Sequence, residues 1–202
     1  FLNMPDNFWC WGENSIRNIL ESSPKRKFHK PILGGYAWPL WYKTFSKKRF
    51  YEDATLPKIR LLFTMQGKQG ETNIEIFPDM LLELLKYQQD LYDKTNEKIF
   101  ELKIRRHPNF LKENSKYLKD RLGLFWNSNL LSFSSKLNNS LYDDFCWANF
   151  HITFYSSSAL EALIFGIKTA VYGDESYKIY EQEIKNKSIT FLKDNSLEEL
   201  LS

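Results

Sequence analysis

Ser156, Ser157 and Ser158 stand in a row in "FYSSSALEAL", behind a strand-like alternation and ahead of a helical spacing of apolar residues. Hydroxyls at a helix start commonly cap the free backbone N–H groups. A helix start with free N–H groups and spare hydroxyls also suits an anion of the phosphate kind. One serine is enough for a cap and three leave donors over, so both uses stay open. Glu161 fits two roles as well: it can reach ribose hydroxyls, or it can pair with Ser158 in the S-x-x-E capping pattern.

A second candidate is "IRRHPNF", in which Arg105, Arg106 and His107 close an alternating apolar run and Pro108 disfavours helical backbone at His107. The imidazole is thereby expected at the strand end. It could donate to a phosphate oxygen or act as an acid on a leaving phosphate, with a guanidinium beside it, although an isolated histidine is more often a plain surface group. In "TMQGKQGETN", Gly67 and Gly70 follow a strand and permit close approach of backbone to a ligand, or simply make a turn. No Lys-Ser/Thr follows, so the stretch is not a GxxxxGK[ST] loop, and ordinary nucleotide hydrolases are disfavoured. His29 and His151 lack metal-ligand spacing, and no metal site is expected. Asp143 and Asp144 could serve a ribose or a metal, but a solvated helix turn is the favoured reading.

The elements that must position these groups follow from periodicity. Residues 58–65 read as a strand, a helix follows Pro78 and Asp79, and Phe100, Leu102 and Ile104 alternate as a second strand. A polar helix is expected around 112–121, a strand at 129–135 and a helix through "SLYDDFCWA". Beyond the serines come "KTAVYG" as strand, "YKIYEQEIKNK" as helix, "SITFL" as strand and "SLEELLS" as helix. Near the start, "NFWCWGENSIRNILESS" reads as strand, turn and helix, and "KPILGGYAWPLWYKTF" as a loop-rich aromatic passage. Alternation of this kind implies parallel crossovers and an α/β, Rossmann-like, doubly wound parallel sheet. The reading is one domain over 1–202, with an aromatic-rich leading segment to 57 and a β/α core from 58. Ligands of such sheets bind at the carboxyl ends of strands, where all three candidate stretches fall.

Composition narrows the function. The 202 residues carry a net charge of +3 from 28 basic and 25 acidic side chains, interspersed except for "PKRKFHK", which is not a nucleic-acid-binding composition. Such basic runs attract phosphate or an anionic membrane face, or are merely solvated. Aromatics make up 16%, with 6 Trp, more than a minimal core needs. For Trp9, Trp11, Trp38 and Trp41 a core role is favoured over an interdomain contact or a sugar-stacking cleft. Cys10 and Cys146 lack CxxC partners, which fits a reducing compartment, and neither a membrane span nor a signal peptide is visible. Starting at Phe1 with no Met, the chain reads as a fragment of a longer protein or as one whose first residues are missing.

Taken together, "IRRHPNF" and then "FYSSSALEALIFGIKTAVYG" resemble the nucleotide-sugar half of a GT-B glycosyltransferase. The His-Pro at a strand end and the Ser-Ser before a helix are similar to the paired motifs of bacterial sialyltransferases and related CMP-sugar transferases of surface-polysaccharide assembly. "EALIFGIKTAVYG" resembles a helix-to-strand passage common in GT-B donor domains, although Lys168 and Thr169 stand where a Pro is usual. The resemblance implies that His107, Ser156 and Ser157 hold the CMP phosphate, His107 being the catalytic group that eases its departure. Ser158, Arg105 and Arg106 would complete the phosphate site, and Gln66, Gly67, Pro108 and Glu161 would meet the nucleotide. It implies a metal-independent donor domain with no cofactor, moving sialic acid or a similar acidic sugar from a nucleotide-sugar, CMP favoured over UDP, to a glycan or lipid-linked acceptor. The setting would be the cytoplasm, with room for contact at the inner membrane face. The family's acidic-acidic-Gly base motif is missing, since "YDDF" lacks the Gly and comes in the wrong order. The base is therefore expected on an acceptor-binding half, and this chain is expected to bind nucleotide yet transfer little sugar alone. Two rivals are a sugar-nucleotide epimerase, which would need carboxylates in the cleft, and a non-catalytic GT-B-like binding module.

Overall fold

A computed structural model describes residues 7–22, 30–45, 59–66, 77–107, 112–134, 140–193, 196 and 198. Residues 24–29, Gly67, Gly70, Pro108 and most of the helix expected at 196–202 lie outside that set. The chain divides into two compact units, Phe1–Lys47 and Lys48–Ser202, where the sequence reading places one domain with a leading segment ending at 57.

The first unit runs β1 (Asn7–Cys10), α1 (Glu13–Ser22), β2 (Lys30–Leu33) and α2 (Ala37–Phe45), with β1 and β2 paired in parallel. The passage read as loop-rich thus contains a helix. Pro39 is tolerated because it falls in the first turn, where a missing N–H breaks no intrahelical bond. Gly34 is required by close approach, since a Cβ there would stand 2.1 Å from the Trp9 ring. The core role favoured for the tryptophans does not hold. Trp9, Trp11, Trp38 and Trp41 are 54–67% exposed, because their rings lie on Gly34, on Tyr36 and on each other.

The second unit is a six-stranded, all-parallel sheet of β3 (Ile59–Thr64), β4 (Phe100–Arg105), β5 (Leu131–Ser134), β6 (Phe150–Thr153), β7 (Lys168–Tyr172) and β8 (Ile189–Leu192). Its order is β5-β4-β3-β6-β7-β8, so successive strands move one way from β3 and then jump back to its other side. Flanking helices are α3 (Asp79–Thr95), α4 (Lys112–Leu122), α5 (Leu141–Trp147), α6 (Ser158–Ile164), α7 (Asp174–Ile179) and α8 (Glu181–Lys185). This confirms the Rossmann-like doubly wound α/β class. The helix expected through "YKIYEQEIKNK" begins earlier and breaks at Tyr180, which is buried.

Alternation along the strands separates the two faces. Leu61, Phe63, Phe100, Leu102, Ile104 and Ile152 build one core with Met80, Leu81, Leu84 and Leu85 of α3 and with Leu118 and Leu122 of α4. The alternate residues Leu62, Thr64, His151 and Thr153 are equally buried, so β3 and β6 are covered on both faces, as central parallel strands must be. Gln88, midway along α3, ties that helix to the start of β4: its Oε1 accepts from Ile99 and Phe100 N–H, and its Nε2 donates to the Glu97 carbonyl.

Gly173 follows β7 at φ +82°, and a Cβ there would meet the Phe154 ring at 2.2 Å. Gly173→Ala is expected to cost about 1–3 kcal/mol through backbone strain and ring displacement, read as a lower urea midpoint. An unchanged midpoint would contradict the close packing of Phe154 on this turn.

Candidate functional site

Strand order reverses between β3 and β6, and in open α/β sheets the crevice at the carboxyl ends of such a pair is where ligands bind. Thr64 ends β3, in register with Arg105 on β4 and Thr153 on β6. The ladder continues one step further along this edge. Met65 N–H donates to the Arg105 carbonyl at 3.0 Å, and Arg106 N–H to the Ser134 carbonyl at 3.0 Å. His107 leaves β4 and Ser156 leaves β6, so the two motifs of the sequence reading issue from the same edge, with β3 between their strands. Gln66 leaves β3 there too, half-buried.

The individual side chains sort differently from expectation. His107 is half-buried, and burial lowers its pKa, which favours the neutral ring. Arg106 packs its guanidinium over the Phe133 ring at 4.9 Å and beside Trp126 at 5.7 Å. Arg105 turns to the other face, where its Nη1 meets Asp144 Oδ2 at 2.5 Å. Its charge is therefore matched inside the protein by a buried carboxylate.

Asp144 corrects the sequence reading. It is fully buried, not a solvated helix residue, and it also accepts from Ser134 Oγ at 2.5 Å and faces Lys103 Nζ at 3.7 Å. Burial is the main cause lowering the Lys103 pKa, opposed by the Asp144 charge, and the ammonium sits 3.8 Å above the Trp147 ring. Its neighbour Asp143 makes the true capping box of the region, with Ser140.

At α6 the serines divide their work. Ser157 holds the N-cap position without a side-chain cap bond and is exposed. Ser156 Oγ accepts from Ser158 N–H at 3.3 Å, and its carbonyl accepts from the Tyr180 hydroxyl. Burial, then Glu183, pushes the Tyr180 pKa up to about 12, so the phenol keeps its proton. Ser158 lies inside the helix and is buried, with Oγ 2.9 Å from Thr64 Oγ1. The Ser158–Glu161 capping box is therefore not formed, because Ser157 holds the N-cap position and Ser158 Oγ bonds to Thr64 on β3. Glu161 is nearly buried in the first turn.

Thr64, His151 and Thr153 were not singled out from sequence as site residues. His151 Nε2 lies 2.9 Å from Thr64 Oγ1, and Thr153 Oγ1 donates to the Thr64 carbonyl at 3.0 Å. Their signal was present: in "FHIT" the two polar residues alternate on one face of an otherwise apolar strand. Among the described residues no group of three or more His, Cys, Asp or Glu could hold a metal ion, and no helix is long and apolar enough to cross a membrane.

By sequence the chain matches no protein-family model and no curated protein. By fold it is similar to solved structures. One is a Listeria monocytogenes protein provisionally described as a UDP-N-acetylglucosamine 2-epimerase, with TM-score 0.57, 14% identity, and 96% of this chain covering 49% of that one. Another is Methanocaldococcus jannaschii UDP-GlcNAc 2-epimerase in complex with UDP-GlcNAc and UDP, at TM-score 0.55, 12% identity, with 97% and 52% covered. A third is S. aureus MnaA with UDP, at TM-score 0.55, 12% identity, with 96% and 48% covered. The chain thus spans about half the length of these proteins and shares the GT-B-like fold of that half. These likenesses give no support to a sialyltransferase or a CMP-sugar motif.

Two outcomes follow from the buried groups. Burial pushes the His151 pKa down to about 3, from 6.5. Between those values the unfolded chain binds a proton that the folded chain refuses, so stability rises with pH there. The contribution of His151 is whole above about pH 7 and is lost on acidification, at about 1.4 kcal/mol per pH unit at its steepest. Urea unfolding from pH 7 to 4.5 should show a shallower slope in His151→Gln; equal slopes would refute a buried neutral ring. Asp144→Ala removes the buried carboxylate that Arg105 and Lys103 face, so it should cost about 3–5 kcal/mol, and Arg105→Met in the same chain should restore much of it.

Proposed function

We propose that this chain is the nucleotide-binding half of an enzyme acting on a UDP-sugar, and that the enzyme inverts a centre on the sugar as a 2-epimerase does. The observation that carries the reading is the carboxyl edge at the β3/β6 reversal, with Ser156 and His107 leaving flanking strands, in a fold similar over nearly the whole chain to structures that hold UDP. Ser156 and Ser157 would meet the phosphates beside neutral His107, and Glu161 would reach the ribose hydroxyls. Gln66, which leaves the same edge, is assigned to the nucleotide together with Gly67 and Pro108.

The chemistry asks for charge placement. Breaking or polarising a sugar–phosphate bond builds negative charge on the nucleotide, so donors aimed at that oxygen lower the barrier. A neutral His107 is suited to donating a hydrogen bond there, whereas Arg105 is committed to Asp144. Epimerisation also needs an acid–base pair at the sugar. Among the described residues, the buried carboxylates Asp144 and Glu161 do not supply it, Asp144 being consumed by its ion cluster and Glu161 being assigned to ribose. The acid–base groups are accordingly assigned to the remainder of the enzyme, and this chain is expected to bind without turnover.

A glycosyl transfer role is the second reading, favoured by the pairing of His-Pro with Ser-Ser on one edge. Titration calorimetry with UDP, UDP-GlcNAc and CMP separates the cases. UDP and UDP-GlcNAc are expected to bind and CMP to bind much more weakly, with Glu161→Gln losing about tenfold or more. Tighter binding of CMP would move the assignment to a CMP-sugar transferase, and no heat with any nucleotide would end the nucleotide-binding reading.

A further inference from the structure

Thr64 stands at a fork. Its Oγ1 is 2.9 Å from His151 Nε2 and 2.9 Å from Ser158 Oγ, and all three side chains are buried. A hydroxyl carries one hydrogen, so Thr64 donates to only one of the two. The imidazole decides which. Nδ1 of His151 is buried with no hydrogen-bond partner, and the ring lies 5.6 Å from Phe145 at a steep angle in an apolar surrounding. A neutral ring carries one hydrogen. Placed on Nδ1 it would be a buried donor with only an aromatic ring to meet, a weak interaction; placed on Nε2 it bonds to Thr64. Buried orphan N–H groups are the rarer kind, so the Nε2–H form is favoured.

Direction then propagates. With Nε2–H donating, the Thr64 hydrogen is released from the ring; a buried hydroxyl keeps its hydrogen bonded, and Ser158 Oγ lies 2.9 Å away, so the hydrogen turns to Ser158, whose own hydrogen stays available. The Ser158 N–H is taken by Ser156 Oγ, so the backbone on this side is fixed as well.

We infer that His151, Thr64 and Ser158 form a one-way hydrogen-bond chain, Nε2–H to Oγ1 and O–H to Oγ, which leaves the Ser158 hydroxyl as a donor to a phosphate oxygen of the bound nucleotide. The last link rests on the nucleotide-binding reading above. His151 is thus a positioning residue that acts through Thr64, and Ser158 is a ligand residue prepared from inside the fold. A purely structural trio would be content with either direction; a ligand-facing one needs this direction.

Two-bond 1H–15N correlation spectra of the uniformly labelled chain read the tautomer directly, with His151→Gln identifying the signal among only 3 histidines. Nε2 protonated is the expected result, and Nδ1 protonated overturns the chain of bonds. UDP titration supplies the functional arm. Thr64→Val should weaken UDP binding about tenfold, Thr64→Ser should stay within about twofold of the parent, and Ser158→Ala combined with Thr64→Val should lose no more than either alone. UDP binding unchanged by Thr64→Val overturns the ligand-facing role. If the parent chain does not bind UDP, the nucleotide reading and the ligand link fall together, while the tautomer still decides the His151–Thr64–Ser158 direction on its own. Should Thr64→Val fail to fold, the Ser158→Ala titration and the spectrum of the parent stand in for it.

Discussion

The carboxyl end of β3 is where this structure is most constrained. β3 pairs in parallel with β4 on one side and β6 on the other, and Thr64 is the last residue of β3 in register with both neighbours. Its carbonyl accepts from Thr153, and its hydroxyl joins His151 and Ser158, so one small residue ties β3 to β6 and to the first turn of α6. Chains diverge from this edge because the strand order reverses there. A valine would suit a central buried strand better by packing alone. Threonine gives up apolar contact for bonds that hold α6 at a fixed height above the sheet.

A second buried polar centre balances the first on the same face. Asp144, from α5, gathers Arg105, Ser134 and Lys103 under the ends of β4 and β5. Burying such charges contributes little net stability, and apolar side chains of similar size often do as well or better. What the cluster does supply is direction. With Arg105 drawn to Asp144, its neighbour Arg106 lies on the opposite side against Phe133 and Trp126, and the chain is led out toward His107 with few alternatives. The two centres together fix the exits of β4, β3 and β6, which are the three exits the candidate site uses.

Much of the fold was legible because parallel sheets write strong local signals. The apolar run at 58–65, the alternation of Phe100, Leu102 and Ile104, and the Pro78-Asp79 helix start each carry their own period or cap, and each appears close to where it is expected. Tertiary partners leave no such local mark. Nothing beside Asp144 in sequence announces Arg105, and the S-x-x-E spacing at Ser158 looks like a cap until Thr64, far away along the chain, claims the hydroxyl. The tryptophans of the first unit show the same limit from the other side: aromatic content predicts burial on average, but these rings rest on glycine backbone and on one another at the surface. The passage around Pro39 reads as loop-rich, and it holds a helix because Pro39 falls in the first turn of α2.

The resemblance to CMP-sugar transferases and the likeness in fold to UDP-holding proteins are compatible once the site is divided by chemistry. Hydroxyls, an imidazole and backbone N–H groups at strand ends recognise phosphate oxygens, and both nucleotides offer these, CMP on one phosphate and UDP on two. A His-Pro at one exit and serines at another therefore report how the phosphate is held and leave the base unread. Discrimination between cytosine and uracil needs groups that contact the base edge, where an amino donor in one replaces a carbonyl acceptor in the other. Motifs concentrated at the α6 turn and the β4 exit carry no such contact. The preference for CMP rests on residues that meet phosphate and do not read the base.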